Sequence, residues 1–224
     1  MPGTSVVVIG AHPDDELLGA GGTIARHVLA GDIVHAVVVA DGGGASRYPA
    51  ELVATLEKQA RQAAEVIGLH SLRLLALPDQ RLDTVPLLEL TQRLETVLDE
   101  IDPGIVYTHF PEDVNADHGV VARCAWTACR PYRRPRVRRF AVFETPSSTE
   151  WAWPLSATRL HANLFVDITE TLEIKIAAME RYQTELREYP HPRSGRALRE
   201  RAAYWGSHVG RLAAEPFQVL RDVE

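Results

Sequence analysis

The sequence predicts an α/β fold in which helices cover both faces of a mostly parallel sheet, giving three layers. Short apolar runs rich in β-branched residues alternate along the chain with helix-length amphipathic segments. The first such run, residues 6–9, stops abruptly at the polar sequence HPDDE, residues 12–16. Open α/β sheets carry their sites at the carboxyl ends of parallel strands. We therefore expect a Rossmann-like domain whose functional site lies at that edge.

Each element follows from its own local pattern. Strands are predicted at about 5–12, 33–40, 72–77, 105–108, 138–144 and 163–168, where apolar runs end in turn residues. Helices are predicted at about 17–30, 50–68, 86–101, 169–182 and 195–209, with one more after residue 118. Residues 214–217 are interpreted as a closing tail. We expect one domain over residues 1–224, with a core at 1–150 and a helical extension at 151–224.

Composition and net charge limit the classes of protein to which this chain can belong. A chain of 224 residues with 46% hydrophobic and 24% charged residues is ordinary for one globular domain. The net charge of -6 argues against a general nucleic-acid binder. No apolar run approaches the roughly 20 residues that cross a bilayer, and the N-terminus lacks a basic leader. We expect a cytoplasmic protein without membrane insertion.

Two surface features have more than one interpretation. The arginine-rich residues 130–139 could form a solvated loop or face an anionic substrate. Trp151 and Trp153 could pack at the rim of the core, stack on a sugar or form a subunit contact. The last of these favours a homo-oligomer.

The polar sequence after the first strand predicts half of a metal site. Pro13 stops the strand ladder, and Asp14 or Asp15 can cap the helix that follows. A cap does not account for His12. His12 and Asp15, three residues apart across a tight turn, can converge on one Zn²⁺, which leaves Asp14 free to face a water molecule at the metal.

The strand at 105–108 ends in a second polar segment, residues 109–118. His118 enters the next helix at the same sheet edge as His12 and Asp15, so it can complete the ligand set. Asp117 is expected to support a ligand or to cap that helix. Two histidines and one carboxylate with an open position are typical of a hydrolytic zinc site, and Fe²⁺ or another divalent ion can replace zinc there.

These motifs resemble the PIG-L / LmbE-like zinc-dependent N-deacetylases. The resemblance rests on residues 11–16 (AHPDDE), 113–118 (DVNADH), 189–194 (YPHPRS) and 214–217 (AEPF), and it spans most of the chain. It implies that His12, Asp15 and His118 bind the metal and that Asp14 is the general base. It also implies that the residues after 150 close the substrate site.

The resemblance leaves the group that stabilises the oxyanion open. Many relatives carry a histidine at the position of Asn115, so this chain departs from their pattern. His191, in the late PHPRS segment, is the first candidate to supply the imidazole instead. His109 is the second candidate, and Asn115 itself could donate a hydrogen bond.

Four further residues are candidates to contact the substrate. Asp41 and Arg47 flank a glycine-rich loop after the second strand, and that loop should face the metal edge. Glu144 follows the fifth strand, and Arg193 lies in the late proline-rich loop.

The expected activity is removal of the acetyl group from an N-acetylglucosamine-type sugar or glycoconjugate by a zinc-activated water. One alternative is an amidase acting on a different amide, such as a thiol–sugar conjugate. Another is a Rossmann-like nucleotide-binding module without catalysis. The second is disfavoured because no glycine fingerprint follows the first strand.

Overall fold

A computed structural model describes residues 3–43, 50–153 and 159–224, and one sheet of seven strands organises them. The strands are β1 (Ser5–Gly10), β2 (Ile33–Ala40), β3 (Ser71–Leu77), β4 (Ile105–His109), β5 (Arg139–Phe143), β6 (Leu164–Asp167) and β7 (Ala214–Asp222). Their spatial order is β3-β2-β1-β4-β5-β7-β6. The first five run parallel, whereas β7 runs antiparallel to β5 and β6. The predicted mostly parallel sheet is confirmed.

Helices cover both faces of this sheet. They are α1 (Asp15–Leu29), α2 (Ala50–Ile67), α3 (Leu87–Ile101), α4 (Ala116–Ala128), α5 (Leu172–Met179) and α6 (Gly195–Ser207). Alternate residues of β1 enter two apolar clusters: Val7 and Ile9 pack with α3 and α4, while Val6 and Val8 pack with α1 and α2. The three-layer prediction is therefore confirmed. In the described parts of the chain, no helix is both long and apolar enough to span a membrane.

The position of β1 explains why the site forms where it does. β1 lies at the centre of the sheet between β2 and β4, and its apolar residues are buried on both faces. β4 runs parallel to it, with Ile9 opposite Thr108. The residues that follow these two strands consequently meet at one edge of the sheet.

The end of the chain differs from the prediction. Residues 214–217, expected as a tail, begin the strand β7, which inserts between β5 and β6. Glu215 and Pro216 interrupt the apolar pattern, so the sequence does not predict a strand here. Glu215 is nevertheless buried, because partners elsewhere in the chain satisfy its carboxylate.

Those partners belong to α1 and α5. Helix α1 is kinked at Ala20, and just beyond the kink the backbone amides of Gly22 and Thr23 donate to the Glu215 carboxylate at 2.9 and 2.7 Å. The ammonium of Lys175 donates to the same carboxylate at 2.6 Å. The buried carboxylate therefore joins β7 and α5 to the helix that begins in the HPDDE motif.

The arginine-rich run pairs with acidic residues at the opposite end of the sheet from the HPDDE motif. It connects α4 to the start of β5, and its partners lie on or just after α3 and at the end of β7. The ion pairs are Arg133 and Arg134 with Asp99, Arg136 with Asp102, and Arg139 with Asp222. The alternative in which this run faces an anionic substrate finds no support in the structure, because its charges pair with acidic residues of the same chain.

We predict that Glu215→Ala destabilises the protein strongly. The change leaves the Lys175 ammonium buried without its counter-ion and frees two amides of α1, so the expected loss is about 3–5 kcal/mol of unfolding free energy. Urea denaturation measures it as a lower midpoint at constant slope. The control Glu57→Ala breaks an exposed pair with Arg61 and should cost at most about 1 kcal/mol. Equal losses for the two variants would contradict the structural role of the buried pair.

Candidate active site

The structure brings the three predicted metal ligands together at the carboxyl edge of β1 and β4. His12 and Asp15 follow β1, and His118 lies in the first turn of α4. Asp15 Oδ2 lies 3.2 Å from His12 Nδ1 and 3.4 Å from His118 Nε2. One candidate ligand atom from each residue lies within 4.8 Å of the others.

This donor set fits a divalent metal. Nitrogen and oxygen ligands at about 2.0–2.2 Å in a tetrahedron stand ~3.3 Å apart, close to the separations found here. The surroundings also carry excess negative charge, which a cation would offset. Among the described residues, the carboxylates in or beside this cluster outnumber the one arginine, Arg193: they are Asp14, Asp15, Asp79, Asp113 and Asp117.

Two carboxylates hold the ring of His12. Its Nε2 lies 3.0 Å from Asp79 Oδ1 and 3.2 Å from Asp117 Oδ2. Burial opposes a charged ring, but hydrogen bonds to Asp117, Asp15 and Asp79 outweigh burial and raise the pKa of His12 well above its ordinary value. Asp117 therefore contacts a predicted ligand. The predicted alternative, that it caps α4, is wrong because Asn115 Oδ1 accepts the capping hydrogen bond.

A third carboxylate supports His118. Asp113 Oδ2 lies 3.3 Å from His118 Nδ1, and the Asp113 side chain is 0% exposed. The carboxylate also accepts hydrogen bonds from the Ser148 hydroxyl, from the Thr149 hydroxyl at 2.7 Å and from the Asn115 amide at 2.9 Å. A carboxylate behind a histidine in this way fixes the ring and its tautomer for metal binding.

Asp14 begins α1 in an unusual backbone conformation. Its φ of 101° lies in a region that costs a non-glycine residue of order 1–3 kcal/mol. Its carbonyl accepts the first helical hydrogen bonds, yet its side chain makes no cap and instead lines the cavity beside the ligands. Asp14 Oδ2 lies 3.1 Å from Arg193 Nη1. Burial raises the pKa of Asp14 well above its ordinary value, and the negative charge of Asp15 raises it further.

The predicted cap from Asp14 or Asp15 is therefore absent. Asp15 cannot serve as one, because its Oδ2 accepts the backbone amide of His12 at 2.8 Å. Both carboxylates face the site and not the start of the helix.

The cavity over the three predicted ligands, called the metal cavity below, has a volume of about 210 Å³. Its walls include two of the predicted substrate-contacting residues, Asn115 and Arg193. This volume lies below the range of about 300–1,000 Å³ found for pockets that enclose drug-sized ligands.

His109 lies beneath the ligands and does not line this cavity. It is fully buried, and its ring stacks on His118 with centroids 3.9 Å apart. Nε2 accepts the Ala11 amide at 2.8 Å, and Nδ1 lies 3.0 Å from the Thr145 hydroxyl. Burial and the neighbouring His118 lower the pKa of His109 to about 4. Both ring nitrogens have partners within the protein, so the structure gives no support to the predicted contact between His109 and substrate.

Glu144 also has a structural role. It is buried, and its two oxygens accept hydrogen bonds from Arg201 at 2.6 and 2.7 Å. The indole N–H of Trp205 adds a third at 2.6 Å. Glu144 does not line the metal cavity, so the structure gives no support there to its predicted contact with substrate.

The glycine-rich loop is only partly described. Asp41 Oδ1 accepts the Gly43 amide at 2.8 Å within a local turn, and Gly42, not Asp41, lines the metal cavity. The predicted contact between Asp41 and substrate is therefore not found at this cavity. Arg47 lies outside the described residues.

His191 stands at the rim, outside the described wall of the cavity. Its Nδ1 accepts the Arg193 amide at 3.1 Å, which turns the ring toward Trp151, with centroids 6.1 Å apart. The prediction that His191 stabilises the oxyanion is not supported by this placement. Trp151 and Trp153 are 54% and 72% exposed, which does not support the alternative in which they pack at the rim of the core.

Sequence reasoning missed Asp79, Asp113 and Glu185. Asp79 follows β3, so the rule that identified the residues after β1 and β4 could have found it. Asp113 lies in the segment 113–118 that carries part of the family resemblance, but the sequence predicted no role for it. Glu185 gave no sequence signal; it lines the cavity and accepts from Arg193 Nη1 at 2.8 Å.

The whole chain is similar to a protein of known activity and to a solved structure. A diacetylchitobiose deacetylase from Thermococcus kodakarensis is 26% identical over 222 residues, covering 94% of this chain and 80% of that protein. The crystal structure of the conserved protein TT1542 from Thermus thermophilus matches with a TM-score of 0.80 at 25% identity, over 99% of this chain and 96% of the other.

The fold is also shared with a protein of a different activity. The crystal structure of GalB, a 4-carboxy-2-hydroxymuconate hydratase from Pseudomonas putida KT2440, matches with a TM-score of 0.74 at 22% identity, over 99% of this chain and 98% of the other. Residues 7–129, more than half of the chain, match the family model described as PIG-L: GlcNAc-PI de-N-acetylase. This stretch contains both motifs from which the site is built, and the chain therefore belongs to the PIG-L family.

Proposed function

We propose that this protein is a metal-dependent N-deacetylase that hydrolyses the acetamide of an N-acetylglucosamine-type sugar or glycoconjugate. The observation that carries the proposal is the convergence of His12, Asp15 and His118 beside the buried carboxylate of Asp14 in one cavity. Fold alone could not support it, because a hydratase shares the fold.

The residues that would hold the metal are His12, Asp15 and His118. A Zn²⁺ ion there would supply Lewis acidity, polarising the acetyl carbonyl and lowering the pKa of water from about 15.7 toward about 7. Fe²⁺ suits the same donors. Asp79, Asp117 and Asp113 lie behind the two histidines and hold their rings in place.

Asp14 is the proposed general base. It accepts a proton from the attacking water and returns it to the leaving amine, which frees acetate and an amino sugar. Its raised pKa suits this task, because a base that binds the proton too weakly cannot pass it on efficiently. Arg193, which also contacts Glu185, orients the Asp14 carboxylate.

Asn115 is the proposed donor to the carbonyl oxygen as negative charge develops on it. Its Oδ1 is held by the amide of Asp117, so the orientation of the side chain is fixed. Asn115 lines the cavity, and its Nδ2 makes a long contact, 3.5 Å, with Gln80 Oε1. A fixed donor with spare hydrogen-bonding capacity is suited to an oxyanion.

We predict that Asp14→Asn removes most turnover while the metal stays bound. The amide keeps the shape of the side chain but cannot accept the proton, so kcat should fall about 10²–10⁴-fold. Acetate release from N-acetylglucosamine conjugates measures activity, and elemental analysis measures metal content. Near-normal hydrolysis by the variant would show that Asp14 is not the base.

Asn115→Ser separates the proposed donor from the helix cap. Serine still caps α4 but lacks the amide donor, so kcat should fall about 10²–10³-fold with little change in thermal stability. His191→Ala is the matched comparison and should change kcat far less, because His191 lies outside the cavity. A larger loss for His191→Ala would return the oxyanion role to that histidine.

Metal dependence is tested by removing the metal and by weakening the support that Asp113 gives to the ligand His118. Dialysis against a chelator should abolish acetate release, and added Zn²⁺ or Fe²⁺ should restore it. Asp113→Asn should lower metal affinity about 10–100-fold, measured by competition with a chromogenic chelator. The control Asp102→Asn changes an exposed carboxylate paired with Arg136 and should bind metal normally. Full activity in metal-free protein would exclude the proposed chemistry.

A further inference from the structure

Gln80 lies in the loop after β3 and lines the metal cavity. Its φ of 54° lies in the left-handed region, which glycine adopts without steric cost. We propose that Gln80 binds the substrate and that its side-chain amide recognises a hydroxyl group next to the reacting acetamide. The inference rests on the proposed deacetylase function and assigns a residue to the recognition of its substrate.

Backbone strain in the described parts of the chain concentrates at this cavity. The non-glycine residues with a positive φ there are Asp14, Ala76, Gln80, Asp102 and Ser147. Three of these five, Asp14, Gln80 and Ser147, line the metal cavity. Such conformations persist where the surrounding structure enforces them, and they cluster at active sites. Asp14 is the proposed general base, so strain at this cavity already accompanies a chemical role.

A tight turn does not explain why a glutamine occupies this position. The loop is fixed on α4, because the backbone amide of Leu82 donates to Asp117 Oδ1 at 3.0 Å. The side chain of Gln80 is exposed, so it adds nothing to the apolar core. Glycine would form the same turn at a lower steric cost. The side-chain amide is therefore the part of Gln80 that can account for its presence.

Three neighbours hold this amide through long contacts. Gln80 Nε2 donates to Asp79 Oδ1 at 3.2 Å and lies 3.2 Å from His12 Nε2. Gln80 Oε1 lies 3.5 Å from Asn115 Nδ2. Hydrogen bonds from N–H groups to oxygen are commonest at about 2.9–3.0 Å, so these contacts are at the weak end of the range. A carboxamide has two donor hydrogens and an acceptor oxygen with two lone pairs, so a substrate hydroxyl can form shorter bonds with it.

The contact with Asn115 places Gln80 next to the reacting group. Asn115 is proposed to donate to the carbonyl oxygen of the acetamide, so a group that binds Gln80 Oε1 lies close to that oxygen. In an N-acetylated amino sugar, the hydroxyl groups on the neighbouring ring carbons are at this position. An uncharged amide both donates and accepts, as a hydroxyl does, and therefore suits a neutral hydroxyl better than a phosphate or a carboxylate.

The test compares binding of N-acetylglucosamine with binding of N-cyclohexylacetamide, which carries the same acetamide on a six-membered ring without hydroxyl groups. NMR titration of the Asp14→Asn protein measures both affinities without turnover of the ligand. Adding Gln80→Gly should weaken binding of N-acetylglucosamine about tenfold, the effect of one hydrogen bond, and leave binding of N-cyclohexylacetamide unchanged. With Asp14 present, Gln80→Gly should lower kcat/KM for N-acetylglucosamine by a similar factor.

Thermal stability separates this role from a structural one. The melting temperature of Gln80→Gly should not fall, because relief of the left-handed backbone offsets the greater freedom of glycine in the unfolded chain. Asp102→Gly is the matched control. Asp102 also has a positive φ, 47°, but it ends α3 at the opposite end of the sheet from the metal cavity. This control should leave the binding of both ligands unchanged.

The outcomes separate the role of Gln80 from the proposed function. Equal weakening of both ligands by Gln80→Gly, or no weakening of N-acetylglucosamine, would overturn the inference, and acetate release by the unmodified protein would still support the deacetylase. If the unmodified protein releases no acetate, the deacetylase proposal fails. Selective weakening of N-acetylglucosamine would even then support recognition of a hydroxyl by Gln80.

Discussion

The site depends on the buried carboxylate of Asp15. One of its oxygens accepts the His12 amide and lies within 3.4 Å of nitrogens of His12, His109 and His118. A buried carboxylate is costly unless positive charge or hydrogen bonds compensate it, and here the compensation comes from β1, β4 and α4 at once. Further carboxylates surround the histidines, so the cluster has the negative charge and the donor atoms that a divalent cation requires.

The rest of the fold keeps that carboxylate in place. The first turn of α1 carries Asp15, and the kink at Ala20 makes the second half of this helix depend on Glu215 of the last strand. Lys175 of α5 neutralises Glu215. The beginning and the end of the chain are thus joined beneath the site, so that the family motif at residues 12–16 is held by residues about 200 positions away.

The sequence by itself determined the order and nearly all the bounds of the elements, and β2 occupies residues 33–40 as predicted. It also determined which side chains leave β1 and β4 at one sheet edge, and hence the grouping of His12, Asp15 and His118. These properties follow from local periodicity and from strand direction. Only the tertiary structure decided that His109 packs beneath the ligands, that Glu144 binds Arg201, and that residues 214–222 form a strand. The partners of those residues lie far away in the sequence, and a polar side chain shows its role only when its partner is known.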